Sequence, residues 1–259
     1  MAEPTPIAVA LPGPPPFTMS AIDEGSCRAS GGSQPTLLCL HGVGGTKEQW
    51  LPQIKHFAQR YRIVAPDLRG HGGTPAVARS YALPCILDDV QQLIAARQIQ
   101  PPIALLAHSY GGVPALQLAL EAPALISHVV LIGVAAEFNY GLLFRLATRA
   151  PVPGGLLELG RRLLFKRRFR ATAPVMRALM AQALLPWRGW EQLHEVRQPV
   201  LAIAGMLDVV APPQAVARMV RQLPNGQLRV VARVKHKIQL QRPNKTNQII
   251  ERFLAGASV

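Results

Sequence analysis

A serine hydroxyl attacks a carbonyl only when a base takes its proton and the side chain stands clear of the backbone. Ser109 sits in Ala107-His108-Ser109-Tyr110-Gly111-Gly112, between the apolar run Ile103 to Ala107 and a helix-like stretch from Tyr110 to Glu121. A tight strand-turn-helix there would project the hydroxyl, at the cost of backbone strain. Small residues two places to either side, Ala107 and Gly111, relieve the crowding such a turn creates. The first N–H groups of the following helix, with its positive dipole end, would face a developing oxyanion. A Ser-x-Gly-Gly turn alone is also a common structural turn, so its weight rests on what accompanies it.

Four other segments accompany it in a telling order. Leu38-Cys39-Leu40-His41-Gly42-Val43-Gly44-Gly45 ends an apolar run in a Gly-rich loop. A phosphate-binding reading of that loop lacks the Lys-Ser/Thr ending of a P-loop. Ala65-Pro66-Asp67-Leu68-Arg69-Gly70-His71-Gly72 follows the next apolar run. Much later come Gly205-Met206-Leu207-Asp208-Val209-Val210-Ala211-Pro212, and then Lys235-His236 with Gln241-Arg242-Pro243 before a terminal helical stretch. Asp208 follows Ser109 by 99 residues and His236 follows Asp208 by 28. The first gap has room for a helix, a strand and an insertion, and the second for one helix and one strand.

Together these segments resemble the nucleophile elbow, H-G loop, P-D-x-R-G turn, acid loop and histidine loop of the α/β-hydrolase superfamily, over about Thr36 to Leu254. The resemblance implies Ser109 as nucleophile, Asp208 as acid and His236 as base, in the chain order Ser, acid, His. It implies that the backbone N–H groups of Val43 and Tyr110 form an oxyanion hole. Ala107, His108, Gly111 and Gly112 then build the elbow, and His41 and Gly42 support the preceding loop. Asp67, Arg69 and His71 are read as structural. Two positions depart from the family pattern: Ala107 and Lys235 each stand where Gly is usual. The second bears on the geometry of the His236 loop. His56, His71, His108, His128 and His194 compete as bases, and Glu137 competes as the acid because it follows the apolar run His128 to Ile132, where some relatives place theirs.

The elements that would position these residues are legible as short apolar runs alternating with helical patterns. This is the signature of a parallel sheet covered by helices. Strands are expected at Thr36 to Leu40, Arg62 to Ala65, Ile103 to Ala107, His128 to Ile132, Val200 to Ala204 and Gln227 to Val231. Helices are expected after a Thr46 cap through Trp50, Ile54 and Phe57, over Leu83 to Arg97, over Tyr110 to Glu121, and over Thr246 to Leu254. The fold class is therefore α/β, a mostly parallel sheet with helices on both faces. Residues 1–16 read as a flexible, Pro-rich tail, and 17–136 with 198–259 as the core. Residues 137–197, holding Pro151, Pro153, Pro174 and Pro186 and no good strand, read as a small helical cap, because so long an insertion exceeds an ordinary loop.

Composition bounds the rest. The chain has 259 residues, 49% hydrophobic and 16% charged, enough to build a core. No apolar run approaches the length of a membrane span. The start of the chain lacks the basic, continuously apolar pattern of an export signal, and cytoplasmic location is the expectation. Cys27, Cys39 and Cys85 form no metal-like pair, Cys39 reads as a core residue, and a reducing compartment fits. Net charge is +14, concentrated in two segments: Tyr140 to Arg197 has eleven basic and three acidic residues, and Arg218 to Arg252 nine and one. Compositional bias explains such a charge as well as a positive field does. Arg161 to Arg170, basic with interleaved Leu and Phe, reads either as a solvated cap helix with its apolar residues packed inward or as a patch attracting an anionic lipid surface, an acidic carrier protein or an anionic substrate. No recognition motif supports nucleic-acid binding.

The expected reaction is hydrolysis of a small-molecule ester, anionic or apolar, through an acyl-enzyme intermediate, with no metal or organic cofactor. The same machinery is compatible with C–C bond hydrolysis, lactone opening, perhydrolysis or acyl transfer, and the scaffold with ligand binding alone.

Overall fold

A computed structural model describes residues 4–12, 16–25, 34–76, 80–136, 153–156, 158–159 and 170–256. Glu137, Cys27 and the run 161–169 lie outside the described residues. The eight strands are β1 (Ile7–Leu11), β2 (Phe17–Glu24), β3 (Thr36–Leu40), β4 (Arg62–Pro66), β5 (Ile103–His108), β6 (Ile126–Ile132), β7 (Val200–Gly205) and β8 (Gly226–Val231). They form one sheet in the order β1-β2-β4-β3-β5-β6-β7-β8. The β1–β2 and β2–β4 pairs are antiparallel and all others parallel. The six expected strands are present to within two residues at each end. The mostly parallel α/β sheet with helices on both faces is as the sequence implied.

The central strands are apolar on both faces because both faces are covered. Leu38 and Leu40 of β3, Leu105 and Ala107 of β5 and Ala202 and Ala204 of β7 join one core. Leu37, Cys39, Leu106, Leu201 and Ile203 join the other. Helices α2 (Leu83–Ala96), α3 (Gly112–Glu121) and α5 (Pro213–Val220) supply the first core through Ile86, Val90, Val113, Val216 and Met219. Helices α1 (Leu51–Phe57) and α6 (Pro243–Leu254) supply the second through Ile54, Phe57, Ile249, Ile250 and Phe253. Cys39 is fully buried there, and burial pushes its thiol pKa far up, so it packs as a small apolar residue.

Several boundaries differ from expectation. Ile7–Leu11, expected inside a flexible tail, instead forms edge strand β1, with Val9 and Leu11 buried and Ala8 and Ala10 exposed. Its alternation is only five residues long and ends against prolines, which masked it. Thr46 has extended backbone but makes no side-chain cap bond. The Lys47 N–H is held by Asp67 Oδ1 at 2.7 Å, and a 3₁₀ turn (Lys47–Trp50) precedes α1. The last helix starts at Pro243, a first-turn position where a missing N–H costs nothing.

Within the segment read as a cap, the described part is helical: α4 (Ala173–Leu179) runs into a π-turn at Met180–Leu184, followed by two 3₁₀ turns. Leu159, just before the basic run, is exposed. No helix among the described residues is long and apolar enough to cross a membrane.

Candidate active site

Successive connections start on one side of β3 and continue on the other: β4 lies to one side, β5 to the other. Loops leaving two neighbouring parallel strands at such a reversal diverge and open a crevice at their C-terminal ends. Here those loops are His41 to Gly45 after β3 and Ser109 onward after β5. The register Leu40↔Ala107 and His108↔Ile132 brings the strand ends level.

Ser109 takes φ +51°, a left-handed conformation that a residue with a Cβ avoids unless its surroundings impose it. The turn continues as Ser109–Gly111 in 3₁₀ form and then as α3. Gly111 is required by contact: a Cβ there would sit inside the Leu40 carbonyl oxygen at the end of β3. The Ser109 hydroxyl lies 2.8 Å from His236 Nε2, and His236 Nδ1 lies 2.8 Å from Asp208 Oδ2. Asp208 is buried and accepts two further bonds at Oδ1, from the N–H groups of Val210 (2.9 Å) and Ala211 (3.1 Å). With one oxygen occupied by its own loop, the other is free for Nδ1–H. That fixes the imidazole tautomer and leaves Nε2 as an acceptor for the Ser109 O–H. Residues separated by 99 and 127 positions thus meet in one hydrogen-bonded chain.

The Val43 and Tyr110 N–H groups donate to nothing outside their own turns among the described residues. The Gly42 carbonyl is held from the other side by His41 Nδ1–H at 2.8 Å and Gly45 N–H at 2.9 Å. Because a trans peptide points its C=O and N–H in opposite directions, holding Gly42 O aims Val43 N–H away from that pair. His41 in turn accepts Leu68 N–H at Nε2 (2.9 Å), and His71 accepts Gly44 N–H at Nε2 (3.1 Å) while its Nδ1–H donates to Arg69 O (3.0 Å). Both rings must therefore be neutral. Burial pushes the His41 pKa down to about 4 and, helped by the neighbouring His41, the His71 pKa down to about 3.

Other candidates fall outside this chain of bonds. His108 is buried and its Nε2–H donates to the His236 carbonyl at 3.1 Å. Burial, then the nearby His236, hold its pKa well below the usual histidine value. It braces the His236 loop. Asp67 is saturated by Lys47 Nζ, Lys47 N–H and Gly73 N–H. Arg69 is buried against Asp89 and the carbonyls of Ser80 and Cys85. His56 meets Glu251 at the surface, His128 packs edge-on to Phe253, and His194 is exposed beside Glu195. Ala107 lies buried at the end of β5, and Gly112 packs against Val134.

Lys235 occupies the usual Gly position without consequence for the backbone. Its φ is not left-handed; Arg233, at +57°, takes that conformation instead. Its side chain is exposed and its N–H is held by Gln241 Oε1 at 2.9 Å. One residue was missed by sequence reasoning. Gly133, after β6, has φ +61°, and a Cβ on it would lie 3.1 Å from His236 Nδ1 and 3.3 Å from Asp208 Oδ2. Its only signal in the sequence is a Gly directly after an apolar run. No group of three or more metal-ligating side chains occurs among the described residues.

Comparison with known proteins places these features in context. Residues 37–249 match the model of the alpha/beta hydrolase family. Protein ABHD8 of Homo sapiens is 30% identical over 241 residues, covering 84% of this chain and 54% of that protein. The chain thus spans about half the length of the curated relatives it matches. Among solved structures, a thermophilic esterase from Thermogutta terrifontis superposes with a TM-score of 0.76 at 20% identity, over 97% of this chain and 98% of that one. The enol-lactonase from Burkholderia xenovorans LB400 gives 0.75 at 19% identity, over 92% and 97%. Likeness at these identities speaks for the fold alone.

Proposed function

Since the chain belongs to the alpha/beta hydrolase family, we propose that it is a serine hydrolase cleaving carboxylic esters through an acyl-enzyme on Ser109. The observation that carries this reading is the continuous hydrogen-bond chain from Asp208 through His236 to a left-handed Ser109. In the reaction, His236 Nε2 takes the Ser109 proton as Oγ attacks the ester carbonyl. Asp208 accepts Nδ1–H and stabilises the imidazolium. The carbonyl oxygen, now negative, receives the N–H groups of Val43 and Tyr110, worth about 3–4 kcal/mol per donor in related geometries. His236 then returns its proton to the leaving alcohol, and a water follows the same route to release the acid. No step calls on a metal or organic cofactor.

Residues 137–197 are read as a cap over this crevice. Supporting that reading, Arg170 N–H donates to Gly44 O at 2.9 Å, Gly72 N–H donates to Arg170 O at 3.1 Å, and Ala171 bridges to His71. The Arg170–Ala171 stretch of the segment is thereby tied to the loop that offers Val43 N–H.

The test is a series of p-nitrophenyl esters of increasing acyl length, with an aryl lactone and an aryl carbamate alongside. Ser109→Ala should reduce kcat at least about 10⁴-fold while the protein stays folded. A wild-type chain that binds but turns over none of these, or a Ser109→Ala variant of full activity, would refute the proposal.

A further inference from the structure

The loops after β7 and β8 lie against one another: Met206 N–H donates to Val231 O and Leu207 N–H to Val234 O, each at 2.9 Å. Asp208 turns inward, and its neighbours turn outward. Met206 is 55% exposed, Leu207 53% and Val209 76%. Large aliphatic side chains this open are rare among the described residues, and three fall within four consecutive positions. On the adjoining loop Arg233, Lys235 and Lys237 are exposed, and none forms an ion pair among the described residues. From Val209 to Ile250 the chain contains no Asp or Glu. An aliphatic tip is therefore bordered by three exposed cations, and Asp208, the acid within it, is buried against His236.

We propose that this edge docks on an anionic phospholipid surface. Met206, Leu207 and Val209 enter the boundary between headgroups and acyl chains, and Arg233, Lys235 and Lys237 sit among the phosphates. A second copy of the chain is the wrong occupant, because it would bring like charges together. An acidic protein fits less well. Protein interfaces draw on Tyr, Trp and Phe anchors, which these two loops lack, and are depleted in Lys, which supplies two of the three cations here. The surface does not depend on Ser109 being a nucleophile. If it is one, docking sets the loops of Asp208 and His236 against the lipid, where apolar or amphiphilic esters concentrate.

The experiment is co-sedimentation of the full chain with vesicles of phosphatidylcholine alone and of phosphatidylcholine with phosphatidylglycerol. Wild type should partition onto the anionic vesicles and leave them as salt rises. Lys235→Gln with Lys237→Gln should weaken partitioning by about fivefold per lysine. Met206→Ser with Leu207→Ser and Val209→Ser should weaken it about tenfold or more, with circular dichroism unchanged because all three side chains face solvent. Equal partitioning of the folded serine variant and wild type would overturn the proposal. So would equal affinity for neutral and anionic vesicles, or retention on a polyglutamate resin with no vesicle binding.

Discussion

Replacing Gly133 by Ala probes the site without touching any reacting group. The added Cβ would lie 3.1 Å from His236 Nδ1, 3.1 Å from the His236 carbonyl oxygen and 3.3 Å from Asp208 Oδ2. These distances are too short for carbon, so the acid–base pair must yield by a few tenths of an ångström. A full ångström of misplacement costs about 100-fold, so a shift of this size costs roughly three- to tenfold in kcat. KM should hardly move, because in the proposed reaction the displaced atoms transfer protons and do not bind substrate. Separately, φ +61° with a Cβ costs about 1–2 kcal/mol. For a chain of this length that is a fall in Tm of about 2–8 °C. Gly256→Ala separates the two effects: its φ is +75° and nothing lies within 4 Å of an added Cβ. It should show the backbone cost alone, with kcat unchanged. The assay is kcat on p-nitrophenyl acetate per titrated active site, with Tm by calorimetry. If Gly133→Ala loses stability like Gly256→Ala yet keeps full kcat, the crowding argument is wrong.

Other outcomes follow from the same packing. The unfolded chain protonates His41 and His71 near pH 6.5, the folded chain only near pH 4 and 3. Stability from these groups is complete above about pH 6.5 and falls as pH drops, by about 2 kcal/mol each at pH 5; a urea midpoint constant from pH 8 to 5 would contradict this. His108→Ala should remove the donor to the His236 carbonyl and lower kcat about tenfold, whereas His108→Gln, with an amide N–H to offer, should recover much of it; equal kcat in the two variants would remove the bracing role. Arg69→Met leaves Asp89 buried with its main cation gone and should cost about 3–5 kcal/mol in denaturant unfolding, with Asp89→Leu restoring part of it in the double variant; a loss under about 1 kcal/mol would mean the pair contributes little.

The candidate site was legible in the sequence where its chemistry is local. A left-handed serine needs small neighbours, an oxyanion loop needs Gly, and strands covered on both faces need unbroken apolar runs. Each leaves its mark within a few residues, and their order along the chain carried the assignment of Ser109, Asp208 and His236. What local pattern could not carry was decided by contacts across the chain. Whether Ile7–Leu11 is tail or strand depends on β2 lying beside it. Whether Lys235 disturbs its loop depends on which residue takes the left-handed turn, and Arg233 does. Gly133 is needed because His236 and Asp208, from two other loops, fill the place of a Cβ. His41, His71 and His108 are held neutral, each by burial and hydrogen bonds to backbone groups. A residue's type records the chemistry it can do. The neighbours that fix its protonation, its tautomer and its room to move arrive only when distant strands close the sheet.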